Sequence, residues 1–253
     1  MPTGTAPARV SGRSCVAEAR ATDGPPSLFD LRGGLPHWAR TGESFELALS
    51  LGGQYAGAQR WSIRPERGAV VAQVDTEFGG VLPHLRIHQT SRLHPRTLAL
   101  LTYAEGEGSR TTMELNMDYR AGEVRLRQRG EETDAPLVAD YLDPVSLLLW
   151  VREWSAAPGE QQVVRLAGSG VHVQRLPDEE VGGETAEVFL LRPGSAGVWR
   201  SAQPPQPEQP RTFLRLTQPT PFGVVDAQPA HIWHERPGAR QGQAGGRVRR
   251  RVG

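Results

Sequence analysis

The stretch Asp140-Tyr-Leu-Asp-Pro-Val-Ser-Leu-Leu-Leu-Trp-Val-Arg-Glu-Trp154 decides how the rest of the chain is read, because it carries the clearest helical signal. Asp143 suits an N-cap, where its carboxylate accepts from the unpaired amides of the first turn, and Pro144 suits the first helical position, which needs no donor. Leu147, Trp150, Val151 and Trp154 fall at i, i+3, i+4 and i+7. Val145, Leu148 and Leu149 widen that face until Ser146, Arg152 and Glu153 are the polar exceptions. Pro158-Gly159 stops the helix. A helix this apolar has to be covered on most sides, yet it falls short of the roughly 20 residues needed to cross a bilayer.

Outward from this helix, most of the chain alternates with the period of a strand. On the N-terminal side, Phe45, Leu47, Leu49 and Leu51 alternate with polar or small neighbours before Gly52-Gly53, a hairpin signal. Trp61 with Ile63, then Leu85 with Ile87, then Met113 with Leu115 and Met117, share faces in the same way. Val124 and Leu126 oppose Arg125 and Arg127, the in/out pattern of an antiparallel sheet with one wet face. On the C-terminal side, strands are predicted over 161–166, 171–176, 186–191, 197–200, 212–217 and 222–227. Asp178-Glu-Glu180 reads as a turn, and residues 201–210, with four prolines, as a solvated loop. The fold expected is mainly β: one large curved antiparallel sheet or half-open barrel of about 11 strands, with a single central helix over about 143–154 against its concave face. Residues 1–41 read as a disordered or loosely packed arm, 42–228 as a β-rich domain and 229–253 as an Arg-rich disordered tail.

Composition removes several classes of function. Cys15 is the only cysteine, so an internal disulfide or a multi-thiolate metal site is excluded. All 29 basic residues are Arg, so no Lys is present to form a Schiff base. A net charge of +1 argues against specific nucleic-acid binding, although residues 236–253 hold six Arg and no acid. No run of 18 apolar residues occurs, so no transmembrane helix is expected. Met1–Val10 lacks the basic-then-apolar pattern of a secretory signal, which points to the cytoplasm.

No catalytic or metal-binding set stands out, and no cofactor is expected. His231-Ile-Trp-His234-Glu235 is neither the zincin order nor its inverse and adjoins the tail. His84 and His88 share parity on one predicted strand, which fits a polar outer face as well as a metal pair, and His94 lies beyond the expected turn. Ala167–Gly170 and Pro193–Gly197 each miss a nucleophile elbow by one place. The aromatic set is the candidate that remains. Trp61 on an early strand, with Leu147, Trp150, Val151 and Trp154 on the helix, would line an apolar groove between sheet and helix. The same residues would serve equally as plain core.

Several motifs together resemble the bacterial domain-of-unknown-function family 3108. They are Gly42-Glu43 with Phe45, Leu47 and Leu49; Ala56-Gly57; Ser91-Arg-Leu-His-Pro-Arg-Thr-Leu98; Met117-Asp-Tyr-Arg-Ala-Gly122; Asp143-Pro-Val-Ser-Leu-Leu-Leu-Trp-Val-Arg152 with Pro158-Gly159-Glu160; and Thr220-Pro-Phe-Gly-Val224. None of these is catalytic. The resemblance implies a curved antiparallel sheet with a helix on its concave side, similar to carriers of lipoproteins or acyl chains in the bacterial envelope. Family members begin with a signal peptide, so a start upstream of Met1 would place the protein in the periplasm or envelope. Two functions from different classes follow. One is a non-enzymatic β domain holding a lipid or other hydrophobic ligand in the groove; the other is a structural domain with a filled core and a protein partner. A hydrolase with an unrecognised site is the third alternative.

Overall fold

The structure, a computed structural model, describes residues 24–138, 140–202 and 211–230. Two helices and fifteen strands are formed in the order α1 (His37–Thr41), β1 (Glu43–Leu51), β2 (Gln54–Glu66), β3 (Ala69–Phe78), β4 (Leu85–Leu93), β5 (Leu100–Glu107), β6 (Arg110–Asp118), β7 (Glu123–Gln128), β8 (Glu131–Pro136), β9 (Tyr141–Leu142), α2 (Pro144–Glu153), β10 (Gln161–Leu166), β11 (Ser169–Val181), β12 (Glu184–Arg192), β13 (Ala196–Ser201), β14 (Phe213–Thr220) and β15 (Gly223–Pro229). All strands belong to one open sheet ordered β8-β7-β6-β5-β4-β3-β2-β1-β15-β14-β13-β12-β11-β10-β9. Neighbours are antiparallel except β9 with β10. The sheet is therefore two meanders joined where the first strand meets the last, Leu49 opposite Ala227 and Leu51 opposite Val225.

Among the described residues, fifteen strands replace the expected 11 or so, and two helices replace one. The differences have local causes. β8, Glu-Glu-Thr-Asp-Ala-Pro, is exposed at every position and so carries no alternation to read. It is an edge strand, and its acids and proline suit an edge that must not recruit another chain. β9 is only two residues long and merges in sequence with the helix entrance. β11 runs on through Pro177 and Asp178-Glu-Glu180 to Val181, with a register shift between Leu176 and Glu179, so the acids read as a turn belong to a bulged strand.

Helix α2 forms as its sequence requires. The Asp143 side chain accepts from the Val145 and Ser146 amides, and the Ser146 hydroxyl accepts from the Asp143 amide, a complete capping box followed by Pro144. The helix lies against β3, β4, β9 and β13, and so meets strands from both halves of the sheet. Its polar exceptions are not solvent-facing: Ser146 and Arg152 are fully buried, and Glu153 accepts from the Trp38 indole N–H at 2.9 Å. The packed core also reaches ahead of residue 42, because Phe29 and Trp38 are buried in it and the Trp150 indole donates to the Leu28 carbonyl.

Candidate functional site

The five residues expected to line a groove all belong to one hydrophobic core. Leu147, Trp150 and Val151 are at most 5% exposed, Trp61 is 2% exposed, and Trp154 is partly buried against them. Trp61 stacks on Phe45 with centroids 5.5 Å apart and touches Phe213; Trp150 stacks on Trp154 at 5.0 Å, and Trp154 leans on Phe189. The indole N–H groups have partners as well, Trp61 donating to the Gln59 side chain and Trp150 to Leu28. Sheet and helix thus fill the space between them with aromatic rings, each offset or tilted as ring electrostatics favour.

Around this core lie polar groups, of which sequence reading singled out Asp143 as the helix cap but not its partners from the sheet. Asp143 is buried, and besides the two backbone amides its carboxylate accepts from the hydroxyls of Ser91, at 2.6 Å, and Ser146, at 2.8 Å. Burial pushes this carboxyl above its ordinary range, against those four hydrogen bonds, which favour the charged form. Nearby, the Gln89 amide donates to the Tyr103 hydroxyl and to Glu105, and Tyr103 donates to Glu105 at 2.8 Å. Burial, then the Glu105 charge, raises the Tyr103 phenol, so it stays protonated as a donor. Ser91 has no imidazole in this network to take its proton, and its hydroxyl is spent on the helix cap.

At the other end of α2, Arg200 from β13 is fully buried and donates to the carbonyls of Val151, Arg152 and Trp154, at 2.5–2.7 Å. Its Nε bonds Glu187 at 2.6 Å, and its guanidinium lies over the Phe189 ring. Burial and the neighbouring Arg211 pull its pKa down to about 10, Glu187 resisting, so it remains charged at neutral pH. A strand arginine therefore closes the helix where four carbonyls lack intrahelical partners. Arg152 pairs with Glu43 through both terminal nitrogens, at 2.7 and 2.9 Å. Arg175 bonds Asp178 and lies over the other side of the cluster, 4.0 Å from Glu187. The one available signal was parity: Arg200 shares a strand face with Val198, and Arg175 with Val171 and Val173, so each is a charge on an inward position.

The larger cleft described, about 580 Å³, lies at one end of the sheet between the β3–β4 and β5–β6 connections. Glu77, His84, Arg86, Glu107 and Arg110 line it with Phe78 and Leu85. Arg86 bonds Glu77 at 2.9 Å, which holds that carboxyl below its usual range. A smaller cleft of about 160 Å³ lies by Asn116, Asp118 and Arg125. None of the groove residues lines either cleft. His84 stands in the loop before β4, His88 on β4 pairs with Asp75 at 2.5 Å, and His94 follows the strand. Among the described residues no group of three or more His, Cys, Asp or Glu side chains could hold a metal ion. The near-elbows Ala167–Gly170 and Pro193–Gly197 span the β10–β11 and β12–β13 turns. Cys15, His231, His234, Glu235 and the Arg tail lie outside the described residues.

No family model matches the chain, and no curated protein matches it. The resemblance to family 3108 thus rests on the quoted motifs alone. A crystal structure of a beta-barrel-like protein of domain of unknown function DUF1849 from Brucella abortus is similar, with a TM-score of 0.39 and 9% identity, covering 74% of this chain and 94% of that chain. No helix among the described residues is long and apolar enough to cross a membrane.

Proposed function

We propose that this chain is a non-enzymatic β domain with a filled core, which works by binding a partner at its outer surface. The carrying observation is that Trp61, Leu147, Trp150 and Val151 are 5% exposed or less and are packed against other side chains, not against a vacancy. An acyl chain between helix and sheet would gain about 0.8 kcal/mol per buried methylene, but it would first have to displace rings already making equivalent contacts. The buried charges point the same way. Asp143 and Arg200 bond the ends of α2 and Glu187 bonds Arg200, so they support the scaffold and leave no acid, base or nucleophile free among them.

The carrier-like reading that accompanies the family 3108 resemblance, with its envelope setting, is the competitor, and one experiment separates the two. Native mass spectrometry of folded protein purified from its own host should give the bare chain mass. Trp150→Ala should then lose about 3–5 kcal/mol of stability in denaturant titration, the cost of emptying an aromatic site in a packed core. A lipid-sized adduct that organic extraction removes and Trp150→Ala abolishes would overturn the filled-core reading.

A further inference from the structure

Among the described residues, four of the six large hydrophobic side chains that are exposed, Tyr55, Val81, Phe222 and Val224, lie at one end of the sheet. The pairing brings them together. The β1–β2 and β14–β15 turns sit side by side because Leu51 faces Gln54 on one side and Val225 on the other. The β3–β4 loop is tied to the first of them, with the Gly79 amide bonded to the Ala56 carbonyl and the Val81 amide to the Tyr55 carbonyl. Gly80 permits this approach: it has φ +63°, and a Cβ there would stand 2.2 Å from the Tyr55 oxygen. The three loops cover residues 50–57, 79–83 and 216–225, and none contains Asp, Glu or Arg in a chain of which 23% is charged.

Charge begins on the flanks, at Glu77, Arg86, Glu107 and Arg110 on one side and Arg192 on the other, and beneath the turns at Asp226, which lies opposite Ser50 and Thr217 and is neutralised by Arg215 at 2.9 Å. Several of the turn amides are also satisfied internally. Thr220 donates its hydroxyl to the Gly223 carbonyl and accepts from the Phe222 amide, and the Leu82 amide bonds the Gly79 carbonyl. An end that exposes apolar tips, carries no ionised group and has its loop amides bonded can be dehydrated cheaply. These tips protrude; they do not enclose. A fluid apolar layer adapts to separate convex tips, whereas a folded partner would need a pocket for each.

From this we infer that the charge-free end docks on the boundary between headgroups and acyl chains of a lipid bilayer, with Phe222 and Tyr55 as its anchors. Aromatic side chains favour that layer, and ionised ones are penalised there. The inference rests on the reading that the domain works at its surface, and it names the partner.

The test is co-flotation of the full chain with phosphatidylcholine vesicles. Partitioning should occur and should persist in 0.5 M salt, a concentration chosen to screen exposed charges within about 5 Å. Phe222→Glu, at a position 62% exposed, should weaken it by at least about tenfold without changing Tm. Tyr55→Glu should act in the same direction. Failure of the native chain to float, or flotation that Phe222→Glu leaves intact, overturns the proposal. So does concentration-dependent dimerisation that Phe222→Glu abolishes in a chain that does not float, which would give this end to a second copy. A lipid recovered from the core by mass spectrometry would instead overturn the filled-core reading and leave the flotation result standing.

Discussion

The two ends of helix α2 are both held by buried side chains, but with opposite charge and different reach. At the N-terminus a buried acid on the helix's own entrance collects two backbone amides and bonds Ser91 on β4. At the C-terminus a base delivered by β13 collects three carbonyls and is neutralised by Glu187 on β12. Both follow the helix dipole, with negative charge at the start and positive at the end. The difference lies in dependence. The first cap is local and would form in a fragment; the second exists only when residues almost fifty positions downstream have been laid into the sheet. The C-terminal cap therefore couples the helix to completion of the second meander.

Removing each cap in turn should show that asymmetry. Arg200→Met should have the larger effect, costing about 3 kcal/mol, because it strips three buried carbonyls of their donor and leaves Glu187 to Arg211 and Arg175. Its partner Glu187→Gln in a double-mutant cycle with Arg200→Met should show strong coupling. An additive cycle, or a loss below that of the N-terminal variants, would put the C-terminal cap on the surface in energetic terms and reverse the comparison. At the other end, Asp143→Ala should cost about 2 kcal/mol and Ser91→Ala about 1 kcal/mol, since the first removes the acceptor for four donors and the second a single hydrogen bond. Both are read from denaturant midpoints with unchanged slope.

The same contrast explains what the sequence made legible. Asp143, Pro144 and the i, i+3, i+4, i+7 apolar face lie within a few residues of one another, and the helix they predict is there with its capping box. Alternating runs such as Phe45–Leu51 became strands for the same reason: the information is local. Strand β8 was missed because an edge strand exposed on both faces needs no apolar parity. Arg200 and Arg175 were passed over because an inward-facing charge is intelligible only with its partners, and Glu187, Glu43 and the helix carbonyls come from other elements. The five residues expected to line a groove are part of one hydrophobic core. Whether helix and sheet would leave space between them depends on Phe45 and Phe213 meeting Trp61 and on Phe189 meeting Trp154, contacts that no spacing encodes.

The smallest effect is also the most specific to the N-terminal cap. Burial raises the Asp143 carboxyl above its ordinary value of 3.8, so in the window just above 3.8 the folded chain holds this proton more tightly than the unfolded chain does. The unfolded state binds fewer protons there, and the contribution of Asp143 to stability falls as pH rises through that window. The slope cannot exceed about 1.4 kcal/mol per pH unit for one group. Asp143→Asn keeps an oxygen for the Val145 and Ser146 amides and offers an N–H₂ to the serine hydroxyls, but it does not titrate. The stability of the native chain relative to Asp143→Asn should thus decline as pH rises through the window just above 3.8, while exposed carboxylates, common to both chains, cancel. A difference that rises with pH would mean that the four donors overcome desolvation and hold the Asp143 carboxyl below its ordinary range, which would strengthen the charge contrast between the two caps.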